Sequence, residues 1–205
     1  MAESRIRAET VHTAGSEANM AKKINITAAL LFAGTVILSV LYRLTSNGIF
    51  LSLAVTAGTF TYHFVIRLLV GLLFRIVMKN RADCTRRWYR VGRLETELYR
   101  KLRVCKWKGK MPTYDPERFD PRIHTWDEIA QATCQAELVH ETIALLSFLP
   151  ILAGIRFGAY PVFIVTSVLA AAFDMMFVMI QRYNRPRILK LIEHKARLKQ
   201  KKPHP

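Results

Sequence analysis

Two short polar segments in the C-terminal half carry the residues best suited to chemistry. One contains Glu137, His140 and Glu141, and the other is residues 181–187. Histidine is the commonest general base, and a nearby carboxylate can orient its ring and select its tautomer. We therefore predict a catalytic pair in which His140 is the base and Glu137 or Glu141 is the orienting acid. The alternative is that this segment is only a solvated helix end.

The second segment reads Gln-Arg-Tyr-Asn-Arg-Pro-Arg and directly follows an apolar run. Guanidinium groups bind phosphates through paired hydrogen bonds, and carboxamides can both donate and accept hydrogen bonds. The predicted substrate-binding residues of this segment are Gln181, Arg182, Asn184, Arg185 and Arg187. We also expect Pro186 to stop the helix. Basic residues anchor the ends of membrane helices as well, so a stop-transfer anchor is the alternative.

The composition is that of a membrane protein. The 205 residues are 51% apolar, yet their formal net charge is +16. Charged and apolar residues are segregated along the chain, as in membrane proteins with basic cytoplasmic parts. A nucleic-acid-binding protein would also be basic, but it would not carry apolar runs of membrane-spanning length, so no nucleic-acid partner is expected.

Neither a cofactor nor a metal is predicted. Di-iron carboxylate sites use the Glu-x-x-His pattern twice, and the predicted membrane domain, residues 24–192, has one copy. Cys84, Cys105 and Cys134 lack metal-type spacing, so we expect free thiols in a reducing compartment.

The apolar pattern predicts an all-α, polytopic membrane protein with about four transmembrane helices. The predicted spans are residues 24–42, 49–78, 138–155 and 160–180. A bilayer needs about 20 residues, so the second span must tilt or leave the membrane early. The strictly apolar part of the third is short, and a re-entrant segment is its alternative. Thr125 and Glu128 predict a capping box that starts the third helix.

The distribution of basic residues orients these helices. The loop of residues 79–135 holds fourteen Lys and Arg and the segment after Ile180 holds nine, whereas the short turns 43–48 and 156–159 hold one each. By the positive-inside rule, the loop, a disordered N-terminal segment (1–23) and a basic tail (193–205) are cytoplasmic. We therefore expect a multi-pass protein of the cell membrane with both termini in the cytoplasm.

This topology places both polar segments in one leaflet. Asp174 lies seven residues before Gln181, about 10 Å deeper on the same helical face. An ionisable group at that depth is costly unless it is paired or functional. We predict a polar pocket at the inner interface, shared by the third and fourth spans and containing Asp174.

Three sequence segments resemble a known family. They are residues 99–110 (Tyr-Arg-Lys-Leu-Arg-Val-Cys-Lys-Trp-Lys-Gly-Lys), residues 136–140 (Ala-Glu-Leu-Val-His) and residues 181–187. They occur in this order in the glycosyl-4,4'-diaponeurosporenoate acyltransferases, membrane enzymes that complete a staphyloxanthin-type carotenoid. The resemblance covers roughly residues 93–192.

The resemblance implies transfer of an acyl group from acyl-CoA or a similar thioester to a hydroxyl of a glycolipid at the cytoplasmic leaflet. Membrane lipids are the other expected partners. Lys106, Trp107 and Lys108 are then candidates for binding donor phosphates or headgroups, or for a patch on anionic lipid. The chain departs from the family pattern at Glu141, where Trp is usual, and at Asp174, where Asn is usual. These departures indicate another substrate or a paralogue without the chemistry.

Two other function classes stay open. The chain could be a non-catalytic lipid-binding or scaffold protein that has lost the family chemistry. It could also be a small transporter, because Arg67 and Asp174 are ionisable residues within predicted spans. His63 lies one helical turn before Arg67, and the pair could contact a neighbouring helix.

Overall fold

The computed structural model describes residues 2–79, 81–107, 111 and 116–201, and it describes side chains from residue 22 onward except at 116, 199 and 201. It is 85% helical, and no strand occurs among the described residues. The α-helices are α1 (Ala2–Thr45), α2 (Gly48–Met78), α3 (Arg93–Lys101), α4 (Trp126–Leu146), α5 (Gly154–Phe157) and α6 (Tyr160–Lys201). The predicted all-α class is confirmed.

Four helical stretches are long and apolar enough to cross a membrane. They are Lys22–Thr45, Gly48–Met78, Trp126–Phe157 and Tyr160–Leu198. Large apolar side chains on them are exposed, among them Leu30, Leu44 and Leu169. Contiguous exposed apolar surface of this kind is what lipid contact requires. The chain is therefore a membrane protein with four candidate spans.

The first two helices form a hairpin with a short turn. α1 is helical from Ala2, where the sequence predicts disorder, and its apolar part begins at Lys22. The carboxamide oxygen of Asn47 accepts a hydrogen bond from the amide of Ile49 (2.9 Å), which caps the start of α2. Across the hairpin the hydroxyl groups of Thr35 and Thr61 lie 3.1 Å apart. Hydroxyl pairs of this type link helices in an apolar environment.

The predicted capping box at the start of α4 is confirmed. The Thr125 hydroxyl accepts a hydrogen bond from the Glu128 amide, and the Glu128 carboxylate accepts one from the Thr125 amide (2.8 Å). α4 ends at Leu146, and a 3-10 segment, Leu149–Ala153, with Pro150 near its start connects it to α5. The third candidate span therefore contains an irregular stretch in place of one continuous helix.

The prediction that Pro186 stops the last helix is wrong. α6 continues through Pro186 to Lys201. A proline inside a helix removes one backbone hydrogen bond, normally to the carbonyl four residues earlier, and usually kinks or breaks the helix. Here Arg182 and Arg185, on the turn before it, are fixed by many side-chain contacts, which are described below. These contacts keep that turn in place.

The chain divides into two compact units, one made of residues 1–67, 113–116 and 148–167, and the other of residues 68–112, 117–147 and 168–205. The second contains both polar segments. Its apolar cluster consists of Tyr99, Val104 and Ile180, with Trp107 and Tyr183 packed against it. Its most deeply buried large side chains, however, include Arg185, Glu137, Thr133 and Asp174. Buried polar groups must be paired to be tolerated, so this unit is built around a polar network.

Candidate active site

A buried ion cluster joins α4 to α6. Glu137 on α4 is fully buried, and Arg185 on α6 is 1% exposed. One carboxylate oxygen of Glu137 accepts from Arg182, and the other accepts from Arg185. Burying charges is costly unless each is paired and hydrogen-bonded, and this arrangement meets both conditions.

The same two arginines hold the backbone that precedes α3. Arg182 donates to the carbonyl oxygens of Trp88 (2.9 Å) and Arg90 (3.1 Å), and Arg185 donates to that of Tyr89 (3.2 Å). Three consecutive carbonyls are therefore held by two guanidinium groups of α6. We call Arg182, Arg185 and these three carbonyls the arginine clamp.

The remaining donors of the clamp also bind protein groups. Arg182 donates to both oxygens of Glu95 on α3, and Arg185 donates to the hydroxyl and the carbonyl of Thr133. Every guanidinium nitrogen of the two arginines thus has a partner within the chain. In this structure each guanidinium nitrogen of Arg182 and Arg185 already bonds a protein group, and the binding of substrate phosphates by these arginines stays a prediction.

Two groups around the clamp have shifted pKa values. Burial raises the pKa of Glu95, but hydrogen bonds from Arg182 and Tyr99 outweigh it and hold the pKa below its usual value. Burial is also the main cause that raises the pKa of Tyr89 to about 12. The Arg185 guanidinium lies 4.8 Å from the centre of the Tyr89 ring. At neutral pH the carboxylate is therefore charged and the phenol is protonated.

The imidazole of His140 pairs with a carboxylate from the neighbouring helix. His140 Nδ1 lies 2.9 Å from Asp174 Oδ1, and the Asp174 side chain is 1% exposed. Phe177, one turn after Asp174 on α6, stacks on the imidazole with ring centres 4.5 Å apart and an interplanar angle of 9°. The ring is thus fixed on its edge and on its face, and no hydrogen bond to Nε2 occurs among the described residues.

The carboxylate that contacts His140 is not one of the two predicted to orient it, and a catalytic role for any of these acids stays a prediction. The sequence indicated Glu137 or Glu141, because each is close to His140 along the helix. Glu137 instead joins the arginines, and Glu141 accepts a hydrogen bond from the indole N–H of Trp88 (2.9 Å). The acid at His140 is Asp174, which the sequence placed in the pocket as a substrate-binding residue.

A cavity of about 590 Å³ lies beside this pair. Its polar wall is formed by Arg87, Trp88, Arg90, Glu95, Tyr99, Glu141 and Arg182, and its apolar wall by Met175, Val178 and Met179. On each helix the residue that follows a member of the pair lines the cavity: Glu141 follows His140, and Met175 follows Asp174. His140 and Asp174 themselves are not among the residues that line the cavity.

The other predicted residues take lesser or different positions. The side chains of Gln181 and Asn184 are half-buried, without a hydrogen bond or ion pair to any described residue. Arg187 is exposed and donates to the hydroxyl of Tyr183, stacking over its ring at 4.0 Å. Lys106 is exposed, Trp107 packs on the apolar cluster, and Lys108 lies outside the described residues.

Several residues of the site were missed in the sequence. They are Arg87, Trp88, Tyr89, Arg90, Glu95, Tyr99 and Thr133. The signal available for the first four is the dense run Arg-Arg-Trp-Tyr-Arg at residues 86–90, in which two aromatic residues stand between arginines. Nothing in the spacing of Glu95 or Thr133 distinguishes them from ordinary helix residues.

Two of the three cysteines lie against each other. No group of three or more His, Cys, Asp or Glu side chains in the described part of the chain is placed to hold a metal ion. The three cysteines are free thiols, and the sulfur atoms of Cys84 and Cys134 lie 2.7 Å apart. The hydrogen bond from the Cys134 thiol is the main cause that lowers the pKa of Cys84.

The comparison with known proteins gives a family. The family model described as glycosyl-4,4'-diaponeurosporenoate acyltransferase matches residues 85–194, more than half of the chain. No curated protein and no solved structure matches the chain significantly. The matched segment begins before Trp88 and ends after Arg187, so it contains the whole arginine clamp and the His140–Asp174 pair. The chain belongs to the glycosyl-4,4'-diaponeurosporenoate acyltransferase family.

Proposed function

We propose that this protein transfers a fatty acyl group from a thioester donor to a hydroxyl of a glycolipid or related lipid. The observation that carries the proposal is the His140–Asp174 pair, whose atoms Nδ1 and Oδ1 lie 2.9 Å apart within the segment that an acyltransferase family matches. The next residue after each of them, Glu141 and Met175, lines a cavity. A cavity of about 590 Å³ falls within the usual range of small-molecule sites.

The pair supplies what an alcohol needs to attack a thioester. Asp174 accepts the Nδ1–H of His140, so Nε2 keeps its lone pair and can accept a proton. As the hydroxyl oxygen bonds to the thioester carbonyl carbon, Nε2 takes the hydroxyl proton. When the carbon–sulfur bond breaks, the leaving sulfur takes that proton from Nε2. The products are an ester and a free thiol, and His140 returns to its starting state.

The arginine clamp supports this chemistry by fixing the cavity wall. It holds the carbonyls of Trp88, Tyr89 and Arg90, and Trp88 in turn donates to Glu141. Second-layer contacts of this kind keep reacting groups within the small tolerance that catalysis allows. The free oxygen of Glu141 is then a hydrogen-bond acceptor for a sugar hydroxyl.

The proposal places the site at the cytoplasmic leaflet of the cell membrane, with both termini in the cytoplasm. Its support is the contrast between fourteen basic residues in the loop 79–135 and one in each short turn. A soluble thioester donor such as acyl-CoA then reaches the cavity from the cytoplasm.

The test is product formation by purified protein in nanodiscs that contain a glycolipid, with acyl-CoA labelled in its acyl chain. We expect labelled acyl-glycolipid from the wild type and a loss of about 10²–10⁴-fold in rate for His140→Gln, the usual contribution of a general base. Glu97→Gln, on an exposed position of α3, is the matched control and should keep the wild-type rate. Equal rates for His140→Gln and wild type would remove His140 as the base. A wild type inactive with every donor would favour a scaffold function.

A further inference from the structure

Two arginines of the cavity wall have no acidic partner among the described residues. Arg87 and Arg90 line the cavity, and both side chains are exposed. Their neighbour Arg86 differs, because it contacts Asp83 at 3.7 Å. Among the described residues, Arg87 and Arg90 are thus the cavity arginines without a carboxylate at ion-pair distance.

The backbone sets these two guanidinium groups on one side of a turn. Arg87–Tyr89 is a 3-10 segment, and Arg90 is its C-terminal cap. Residues three apart in a 3-10 turn project in the same direction. The arginine clamp holds the carbonyls of residues 88–90, so the stems of both side chains start from a fixed backbone.

The charge balance of the cavity favours an anion. Arg182 is offset by Glu95 in the wall and by Glu137 behind it. The acid that remains is Glu141, and one of its oxygens already accepts from Trp88. Two unpaired guanidinium groups therefore face one carboxylate. Paired guanidinium groups suit phosphate because each can donate two parallel hydrogen bonds to its oxygens.

We infer that Arg87 and Arg90 bind a phosphate group of the acyl donor, which makes the donor a phosphorylated thioester of the CoA type. This inference rests on the proposed function and adds to it the residues that recognise the donor. Met175, Val178 and Met179 form the apolar wall along which the uncharged arm or the acyl chain of that donor lies. A lipid headgroup phosphate has the same chemistry, and the experiment below separates the two sources.

The kinetic test uses the double variant Arg87→Gln/Arg90→Gln in nanodiscs of neutral phosphatidylcholine. For acyl-CoA we expect KM to rise about 10–100-fold with kcat little changed, because two charge-assisted contacts are lost. For the matching acyl-pantetheine thioester, which has no phosphate, KM should equal that of the wild type. Arg93→Gln is the control, since Arg93 is exposed and does not line the cavity. A KM for acyl-CoA that is unchanged in the double variant would overturn the inference.

Direct binding separates this inference from the proposed function. Equilibrium dialysis of CoA against the same neutral nanodiscs needs no turnover, so it reports on the phosphate site even when no product forms. We expect CoA retention by the wild type and by Arg93→Gln, and a loss of at least tenfold in affinity for the double variant. Equal retention by the wild type and the double variant would refute the site. The KM of the double variant could instead rise only in phosphatidylglycerol nanodiscs, and equally for both thioesters. That result would assign the phosphate to a lipid and overturn the donor assignment.

Discussion

Replacing Glu137 by Gln should destabilise the protein strongly although the shape of the side chain hardly changes. Both oxygens of the fully buried carboxylate bind guanidinium groups, one from Arg182 and one from Arg185. Arg182 keeps Glu95 as a counter-charge after the change. Arg185, which is 1% exposed, loses the one carboxylate that contacts it among the described residues.

The expected cost is that of one buried cation left without its partner. Removing one member of a buried ion pair costs about 3–5 kcal/mol. For a chain of this size each kcal/mol shifts Tm by about 2–4 °C, so Tm should fall by about 6–20 °C. The assay is thermal unfolding in detergent micelles, followed by tryptophan fluorescence, with Glu97→Gln as the exposed control.

A double variant sharpens this test. In Glu137→Gln/Arg185→Gln the unpaired charge is gone, so the loss of stability should be smaller than the sum of the two single losses, as expected for residues in contact. A Tm for Glu137→Gln within about 2 °C of that of Glu97→Gln would refute the buried double pair, because that shift corresponds to under about 1 kcal/mol.

Three further predictions concern the cap, the thiols and the pH dependence. Thr125→Ala removes the cap of α4 and should cost about 1 kcal/mol, seen as a Tm lower by about 2–4 °C; an unchanged Tm would mean that the cap adds no stability. The oxidant diamide should form a disulfide between Cys84 and Cys134, whose sulfur atoms are 2.7 Å apart, in the wild type and in Cys105→Ser but not in Cys84→Ser. Thiol labelling with mass spectrometry identifies the cysteines that have reacted. Reaction of Cys105 instead would contradict the packing. Because the folded pKa of Glu95 lies below its ordinary value of 4.5, its stabilisation is present above that pH and is lost as the pH falls through the folded pKa. The Tm advantage of wild type over Glu95→Gln should therefore shrink between pH 5 and pH 3, and a constant difference would contradict this role.

Local features could be predicted from the sequence. The four apolar stretches and the capping box at Thr125 depend on residues close together in the chain, and both are confirmed. The family could be recognised for the same reason, because its motifs are contiguous. The predicted leaflet, the orientation of the termini and the catalytic roles stay predictions.

The pairing of the charged side chains could not be predicted. Glu137 is one turn from His140, and that spacing made it the natural partner. The choice between Asp174 and Glu137 depends on how α4 and α6 are rotated about their axes, which hydropathy does not fix. Arg182 and Arg185 stand out in the sequence, but a guanidinium that is free to bind a substrate and one that holds protein carbonyls look identical there. The continuation of the helix through Pro186 could not be predicted for a related reason, since the contacts that hold this helix together come from distant residues.

The most direct test of the account compares Asp174→Ala and Asp174→Asn in the single-turnover rate of labelled acyl transfer to glycolipid. If Asp174 orients His140 as the base, Asp174→Ala should fall toward the rate of His140→Gln. Asp174→Asn retains an oxygen that accepts the Nδ1–H, so it should keep an intermediate rate, with Tm measured alongside to confirm folding. A folded Asp174→Ala protein that transfers acyl groups as fast as the wild type would contradict the catalytic pair.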